Sequence, residues 1–420
     1  MHDPASLLRA LFDKAVEVAD PMRSLARHLP PKPPGRVVVV GAGKASARMA
    51  EAVEAAWGPC EGLVITRYGY ARPCTGIEIV EAAHPVPDAA GAAATARMLA
   101  LLAGLGEGDF VLALISGGAS ALLVAPAAAV TLAEKQAVNR ALLDSGAPID
   151  RMNVVRKHLS RVKGGQLAAA AFPARMLALM ISDVPGDDPA FIGSGPTVGD
   201  ASTPADARAV LERWGIAVPP SVSAVLAGDT GVVPPGDPRL SRVQNEIYAA
   251  PAQSLAAAAE VARAAGCAVR MLGDALEGEA REVAGEQARM ALEVRKGLHP
   301  ASAPVVLLSG GELTVTRRGN GVGGPNAEFA LALALALGGA PGIHAIACDT
   351  DGVDGAAEVA GALIGPGTPA AARAEGAEPA AALADNDAHG FFGRIGGQVV
   401  TGPTLTNVND FRAILITPPA

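Results

Sequence analysis

Aromatic side chains make up only 3% of the 420 residues, and basic charge is in deficit, with 34 Lys and Arg against 42 Asp and Glu. A chain with neither a positive field nor stacking platforms is not built to bind nucleic acid. Cysteine is scarce as well. Cys60, Cys74, Cys267 and Cys348 stand far apart with no Cys-x-x-Cys pair, so reduced, buried thiols are expected rather than a zinc site or a disulfide framework. Long apolar runs are missing: Phe329–Leu337 is about half of the roughly 20 residues that span a bilayer. Asp3, Asp13, Glu17 and Asp20 interrupt the N-terminal stretch where an export signal needs an unbroken apolar core. The expectation is a soluble, cytoplasmic protein without a membrane partner. The histidines form no His-Glu-x-x-His pattern and there is no Gly-x-Ser-x-Gly elbow. An EF-hand starting at Asp349 would need a glutamate at position 360, which is Ala. Zinc enzymes, serine hydrolases and calcium sensors are therefore poor candidates.

What is present is apolar and loop-rich, half of it hydrophobic with 49 glycines and 33 prolines, and long enough for two or three domains. An amphipathic helix to about Arg27 should end at the breaker stretch Pro30–Gly35. Val37–Val40, Leu63–Thr66, Phe110–Ile115 and Met176–Ile181 read as strands, with a helical pattern over Lys44–Trp57. Their apolar runs are continuous rather than alternating, as in a parallel sheet covered on both faces, so the first half is a doubly wound α/β layer. Pro and Gly cluster over Gly231–Asp237, which divides the chain into domains 1–236 and 237–420. The second half reads as another α/β layer: helix Ala256–Ala265, strand Ala268–Leu272, helix Glu277–Val294 and strand Pro304–Leu308.

Glycine-rich turns after strands are where open sheets bind anions. The first, Gly41-Ala42-Gly43-Lys44-Ala45-Ser46, lacks the third glycine of the dinucleotide fingerprint, and it is no Walker A because position 38 is Val and Ala45 follows Lys44. What remains is a lysine at a helix start, suited to an anion. Ser116-Gly117-Gly118-Ala119-Ser120 has an echo in Ser309-Gly310-Gly311-Glu312, so two anion-facing loops are expected, with ordinary tight turns as the alternative. Asn153–Gly165 holds five basic residues, among them Arg156, Lys157 and Lys163, suited to a substrate carboxylate and phosphates. After the next strand come Asp183, Asp187 and Asp188, which could hold Mg2+ or accept a hydroxyl proton. Gly321–Glu328 opens an apolar helix, Asp349–Gly355 follows a strand, and Thr401–Asp410 is dense in short polar side chains that make either capped turns or substrate contacts.

In this order, GAGKAS (41–46), ISGGASALL (115–123), NVVRKHLSRVKGGQLA (153–168), ISDVPGDDPAFIGSGPT (181–197), SGGE (309–312), GGPNAEFALA (323–332), DTDGVDG (349–355) and TNVND (406–410) resemble the D-glycerate 2-kinases, whose C-terminal part is the MOFRL domain. The same family has long carried the name hydroxypyruvate reductase of tartrate degradation. The resemblance covers nearly the whole chain. It implies a Rossmann-like N-terminal domain, a smaller α/β MOFRL-type domain, an active site in the cleft between them, and ATP- and Mg2+-dependent phosphorylation of D-glycerate to 2-phosphoglycerate.

The resemblance maps a family active-site lysine onto Lys44; from the residues themselves Asp183, Asp188 and Lys163 are further expected catalytic residues and Asp187 and Asp188 expected metal ligands, with spacing alone not separating base from ligand among the aspartates. ATP would contact Gly41, Gly43, Ser116, Gly117, Gly118, Ser120, Ser309, Gly310, Gly311, Glu312, Gly323, Gly324 and Asn326. Asn153, Arg156, Lys157, Asp351, Thr404 and Asn407 would contact the substrate. The family arginine before the Asn of the last glycine turn is Pro325 here, so another cation, Arg156, Lys157 or Lys163, would have to replace it. Two other readings stand beside the kinase. One is a nicotinamide-dependent hydroxypyruvate reductase, with Arg67 after the second strand as a dinucleotide contact; the other is a non-catalytic ligand-binding protein on the same fold. A homo-oligomer is compatible with the sequence, which does not specify one.

Overall fold

The computed structural model describes residues 3–419 and divides into two compact units. The first, Pro21–Ser182 with Asp187–Tyr248, is built on β1 (Val37–Ala42), β2 (Glu61–Arg67), β3 (Ile77–Ala82), β4 (Phe110–Ile115), β5 (Arg175–Ile181) and β6 (Val243–Ala249), in the order β3-β2-β1-β4-β5-β6. Strands β1 to β5 pair in parallel. Every residue of β1 and β4 is buried, which is the physical counterpart of their unbroken apolar runs: helices cover both faces. The doubly wound layer is thus the observed architecture.

The second unit carries β7 (Ala268–Glu279), β8 (Val305–Thr314), β9 (Ile343–Asp349), β10 (Gly361–Ile364), β11 (Gln398–Val399) and β12 (Asp410–Ile416), ordered β11-β10-β9-β12-β8-β7. Only β7 and β8 are parallel; the other pairs are antiparallel. Its core lies beneath the helices Ala280–Lys296 and Pro325–Leu337, around Phe329, Leu331, Leu333 and Phe392.

Three expectations change. The boundary falls after Tyr248 rather than at 236/237, because β6 completes the first sheet. The opening helix stops at Ala19, since Pro21 cannot donate the bond that would continue it, and Pro4–Ala19 belongs to the second unit. There Ser254 donates to the Ala15 carbonyl at 2.8 Å and Phe12 packs on Phe411 with ring centroids 5.9 Å apart. Third, β7 runs seven residues past Leu272, and Ser309-Gly310-Gly311-Glu312 is no turn but the middle of β8. Cys60, Cys267 and Cys348 are buried and Cys74 half-buried, all unpaired. Among the described residues no helix is long and apolar enough to cross a membrane.

A side chain at Gly311 would put its Cβ 2.2 Å from the backbone N and O of Leu276, at φ +105°. Gly311→Ala should therefore destabilise the protein by about 3 kcal/mol or more. Gly285→Ala, in open space within a helix, should stabilise it by about 0.5–1 kcal/mol. Urea unfolding of the two variants checks both signs.

Candidate active site

In the first unit the ends of β1 and β4 meet so closely that only glycine fits: a Cβ at Gly41 would lie 2.3 Å from the Leu114 carbonyl, and one at Gly43 2.1 Å from Ser116 Oγ. Ser116 braces the two turns. Its Oγ accepts from Ala45 N at 3.1 Å and bonds Ser46 Oγ at 3.0 Å, while Ser46 donates to the Leu114 carbonyl. Gly43, Lys44 and Ser46 N–H donate to the carbonyls of Ile65, Gly117 and Gly43. The amides expected to cradle an anion over the first turn are therefore committed within the protein, and Gly41, Gly43 and Ser116 shape the site without offering a free donor.

The second turn is different. No acceptor among the described residues meets the N–H of Gly117 or Gly118. Gly118, at φ +83°, starts the short helix Ala119–Leu122, and a Cβ there would meet His84 at 3.1 Å and the Lys44 side chain at 3.3 Å. Two open amides thus lie next to a half-exposed lysine, a grouping whose chemistry suits an anion. His84, which no motif marked, lies against the same turn.

From this turn a polar chain runs inward. Lys163, 1% exposed, gives its three N–H groups to Ser120 O (2.7 Å), Ser120 Oγ (3.3 Å) and Leu123 O (3.4 Å). It therefore cannot stand in for the missing arginine at a ligand; it holds Ser120 in place. Ser120 Oγ bonds Ser194 Oγ at 2.8 Å, and Ser194 Oγ donates to Asn153 Oδ1 at 3.3 Å. Among the described residues Arg156 makes only a long 3.5 Å contact to that Asn153 oxygen and one to Met152 Sδ, with no carboxylate partner. Lys157 departs from expectation too: it is buried in an ion pair with Asp200 and lies 5.6 Å from the Phe191 ring centre, so it has no charge left for substrate.

Lys135, Arg156 and Lys163 have no acid partner among the described residues. Lys135 is buried with one bond, to the Leu159 carbonyl at 2.7 Å; burial, reinforced by Arg156, pulls its ammonium down from 10.5 to about 7. Burial, with Lys135 and Arg156 adding repulsion, puts Lys163 well below the ordinary lysine range. Burial also lowers Arg156. Such a group favours a bound anion.

Among the three aspartates, Asp188 is exposed and accepts from Ala190 N at 2.8 Å. Asp187, at φ +53°, buries Oδ1 without a hydrogen-bond partner. Asp183 belongs to the second unit, where its Oδ2 accepts from Asn407 Nδ2 at 3.1 Å. No group of three His, Cys, Asp or Glu able to hold a metal occurs among the described residues. The orphaned Asp187 oxygen still fits Mg2+, which takes one or two carboxylates and completes its shell with phosphate oxygens and water.

In the second unit most expected ATP contacts are internal. Ser309 and Gly310 sit in the ladder opposite Arg412 and Phe411, and Ser309 Oγ accepts from Gln287 at 3.2 Å. Gly311 lies opposite Leu276 and exposed Glu312 opposite Glu277. The start of helix Pro325–Leu337 is filled by the protein's own carboxylate: Asp354 accepts from Asn326 N (3.0 Å), Asn326 Nδ2 (3.3 Å) and Ala327 N (2.8 Å). Gly323 and Gly324 are glycines because Asn386 O and Asp354 would lie 2.7 and 2.4 Å from a Cβ. The Asn326 and Ala327 amides of that helix start are therefore already paired within the protein. Asp351, Thr404 and Asn407 knit two loops together: Thr404 N donates to Asp351 O, Val353 N to Asp351 Oδ1, and Asn409 N to Asn407 Oδ1. A separate groove of about 680 Å³, lined by Leu272, Met290, Leu298 and four charged residues, holds none of the expected site residues.

Comparison with known proteins agrees with the resemblance. Residues 7–227 match a family model described as a domain of unknown function, DUF4147, and residues 305–410 match the MOFRL family. A D-glycerate 2-kinase of Thermotoga maritima is 39% identical over 98% of each chain. A glycerate 2-kinase of Pyrococcus horikoshii is 34% identical over 97% of this chain and 96% of its own. A protein of Agrobacterium vitis provisionally named hydroxypyruvate reductase is 54% identical over 98% of this chain and 94% of its own. The crystal structure of a Thermotoga maritima glycerate kinase superposes with a TM-score of 0.88 at 38% identity, covering 99% of this chain and all of that one.

Because native Lys135 is deprotonated between about pH 7 and 10.5 while the unfolded chain is protonated, folding stability should rise with pH across that window and be lost as pH falls through 7. Lys163 titrates in the same direction. Urea midpoints measured from pH 6.5 to 10 should climb in the native protein and climb less in Lys135→Met.

Proposed function

The chain belongs to the MOFRL-containing glycerate 2-kinase family, and from that premise we propose that it transfers the γ-phosphoryl group of ATP to the C2 hydroxyl of D-glycerate, giving 2-phospho-D-glycerate and ADP. The observation that carries this reading is the end-to-end relationship to a D-glycerate 2-kinase. The open amides of Gly117 and Gly118 beside the Lys44 side chain support it physically, since both reactants are anions.

In the step proposed, the C2 oxygen bonds to the γ-phosphorus, the bond from that phosphorus to the bridging oxygen of ADP breaks, and the hydroxyl proton passes to a carboxylate. Lys44 and the amides of Gly117 and Gly118 neutralise and orient the phosphates. Asn153 and Arg156 receive the glycerate carboxylate. Asp187 is the residue that would hold Mg2+, whose charge offsets that of the phosphates when it is bound. Catalysis is then mainly positioning and electrostatics. Lys44→Met should lower kcat by about 10²-fold or more, as removal of one charge-stabilising donor does, and Asp187→Asn should raise the Mg2+ concentration needed for half-maximal rate. Initial-rate kinetics checks both.

The name carried by the Agrobacterium relative favours one second reading, reduction of hydroxypyruvate. Against it, the first glycine turn has committed its amides, and Ser46 fills the place of the third glycine. The discriminating assay pairs D-glycerate with Mg-ATP, resolving 2- from 3-phosphoglycerate, and hydroxypyruvate with NADH or NADPH. Formation of 2-phosphoglycerate is expected; cofactor oxidation without phosphoryl transfer would replace the kinase reading.

A further inference from the structure

Ser194 lies in the stretch FIGSGPT, to which neither the motif reading nor the proposed chemistry assigned a task. It holds a left-handed backbone at φ +65° between Gly193 and Gly195, at φ +59° and +63°. A side chain is disfavoured in this region and glycine is not, so three glycines in a row would be the relaxed choice. The strand-to-loop geometry does not need the hydroxyl. The backbone there is held independently, with Ser194 N donating to Phe191 O and Gly164 and Gly165 N donating to the carbonyls of Ser194 and Gly195.

What the hydroxyl does is fix an amide. Ser194 Oγ, 1% exposed with its residue, donates to Asn153 Oδ1 and bonds Ser120 Oγ, which Lys163 anchors from behind. Asn153 is 5% exposed, and its oxygen receives both Ser194 and Arg156. Its Nδ2 therefore points the other way, and no acceptor among the described residues meets it. Arg156 beside it meets no carboxylate among the described residues. An amide NH2 without an acceptor and a guanidinium without a carboxylate among the described residues stand on one helix turn and form a two-donor site for a planar oxyanion.

We propose that Ser194 is a positioning residue that locks Asn153 so that its amide, with Arg156, binds the carboxylate of the hydroxy-acid substrate. The proposal deepens the kinase reading and rests on it for the identity of that substrate. If Ser194 acts through Asn153, removing it matters only while Asn153 is present.

The test uses the full-length protein and Ser194→Gly, Ser194→Ala, Asn153→Ala and the Ser194→Ala/Asn153→Ala double variant. Ser194→Gly should melt at or above the native temperature and raise KM for D-glycerate about tenfold, with KM for ATP within about twofold of native. The double variant should be no worse than Asn153→Ala alone. In parallel, thermal shifts with D-glycerate and with inorganic phosphate read binding without turnover. Loss of the D-glycerate shift in Ser194→Gly supports the proposal even if the native protein fails to phosphorylate glycerate, which would sink the kinase reading alone. Loss of the phosphate shift only would reassign the oxyanion to a phosphate and overturn the carboxylate. An unchanged KM with both shifts retained, multiplicative effects in the double variant, or no stabilisation of the native protein by either probe would overturn the proposal.

Discussion

Everything in the first unit that bears on anion binding depends on how closely the ends of β1 and β4 approach. Glycine at 41 and 43 lets the two turns touch, and Ser116 fills the gap that results with bonds to Ala45 N and Ser46 Oγ. Because those bonds consume the amides of the first turn, the open donors shift to Gly117 and Gly118 in the second. Lys44 keeps its place beside them because its own N–H is tied to the Gly117 carbonyl. The lysine is thus presented by the neighbouring strand's turn as much as by its own.

The second constraint is charge without compensation. Burying an ammonium without an acid costs several kcal/mol, and burial accordingly pulls Lys135 down to about 7 and Lys163 well below the ordinary lysine range. Lys163 shows why a buried cation is not thereby a catalytic one. Its three donors saturate on Ser120 and Leu123, so its contribution is to hold the origin of the chain that reaches Asn153. Lys157, by contrast, is neutralised by Asp200, whereas Arg156 makes only long contacts to Asn153 and Met152.

Much of this was legible in the residues. Continuous apolar runs announced β1, β2, β4 and β5, and the order of motifs announced the family. The motifs also named Lys44, Gly117, Gly118, Asn153 and Arg156, the residues on which the proposed anion site is built. The two Ser-Gly-Gly runs show the limit: Ser116-Gly117-Gly118 has no strand to pair with and turns, whereas Ser309-Gly310-Gly311 is captured between β12 and a bulged β7 and stays extended. The local words are the same, and the ladder partners lie about a hundred residues away for β12.

The sequence by itself determined the apolar strands, the breakers, the reservoir of cations and the family, because these follow from composition and local spacing. Which donors remain available was decided only in three dimensions. Asp354 occupies the helix start that Gly323, Gly324 and Asn326 appeared to offer to phosphate, and Asp200 silences Lys157. Whether a polar group is satisfied depends on partners distant in the chain, and no local spacing encodes that.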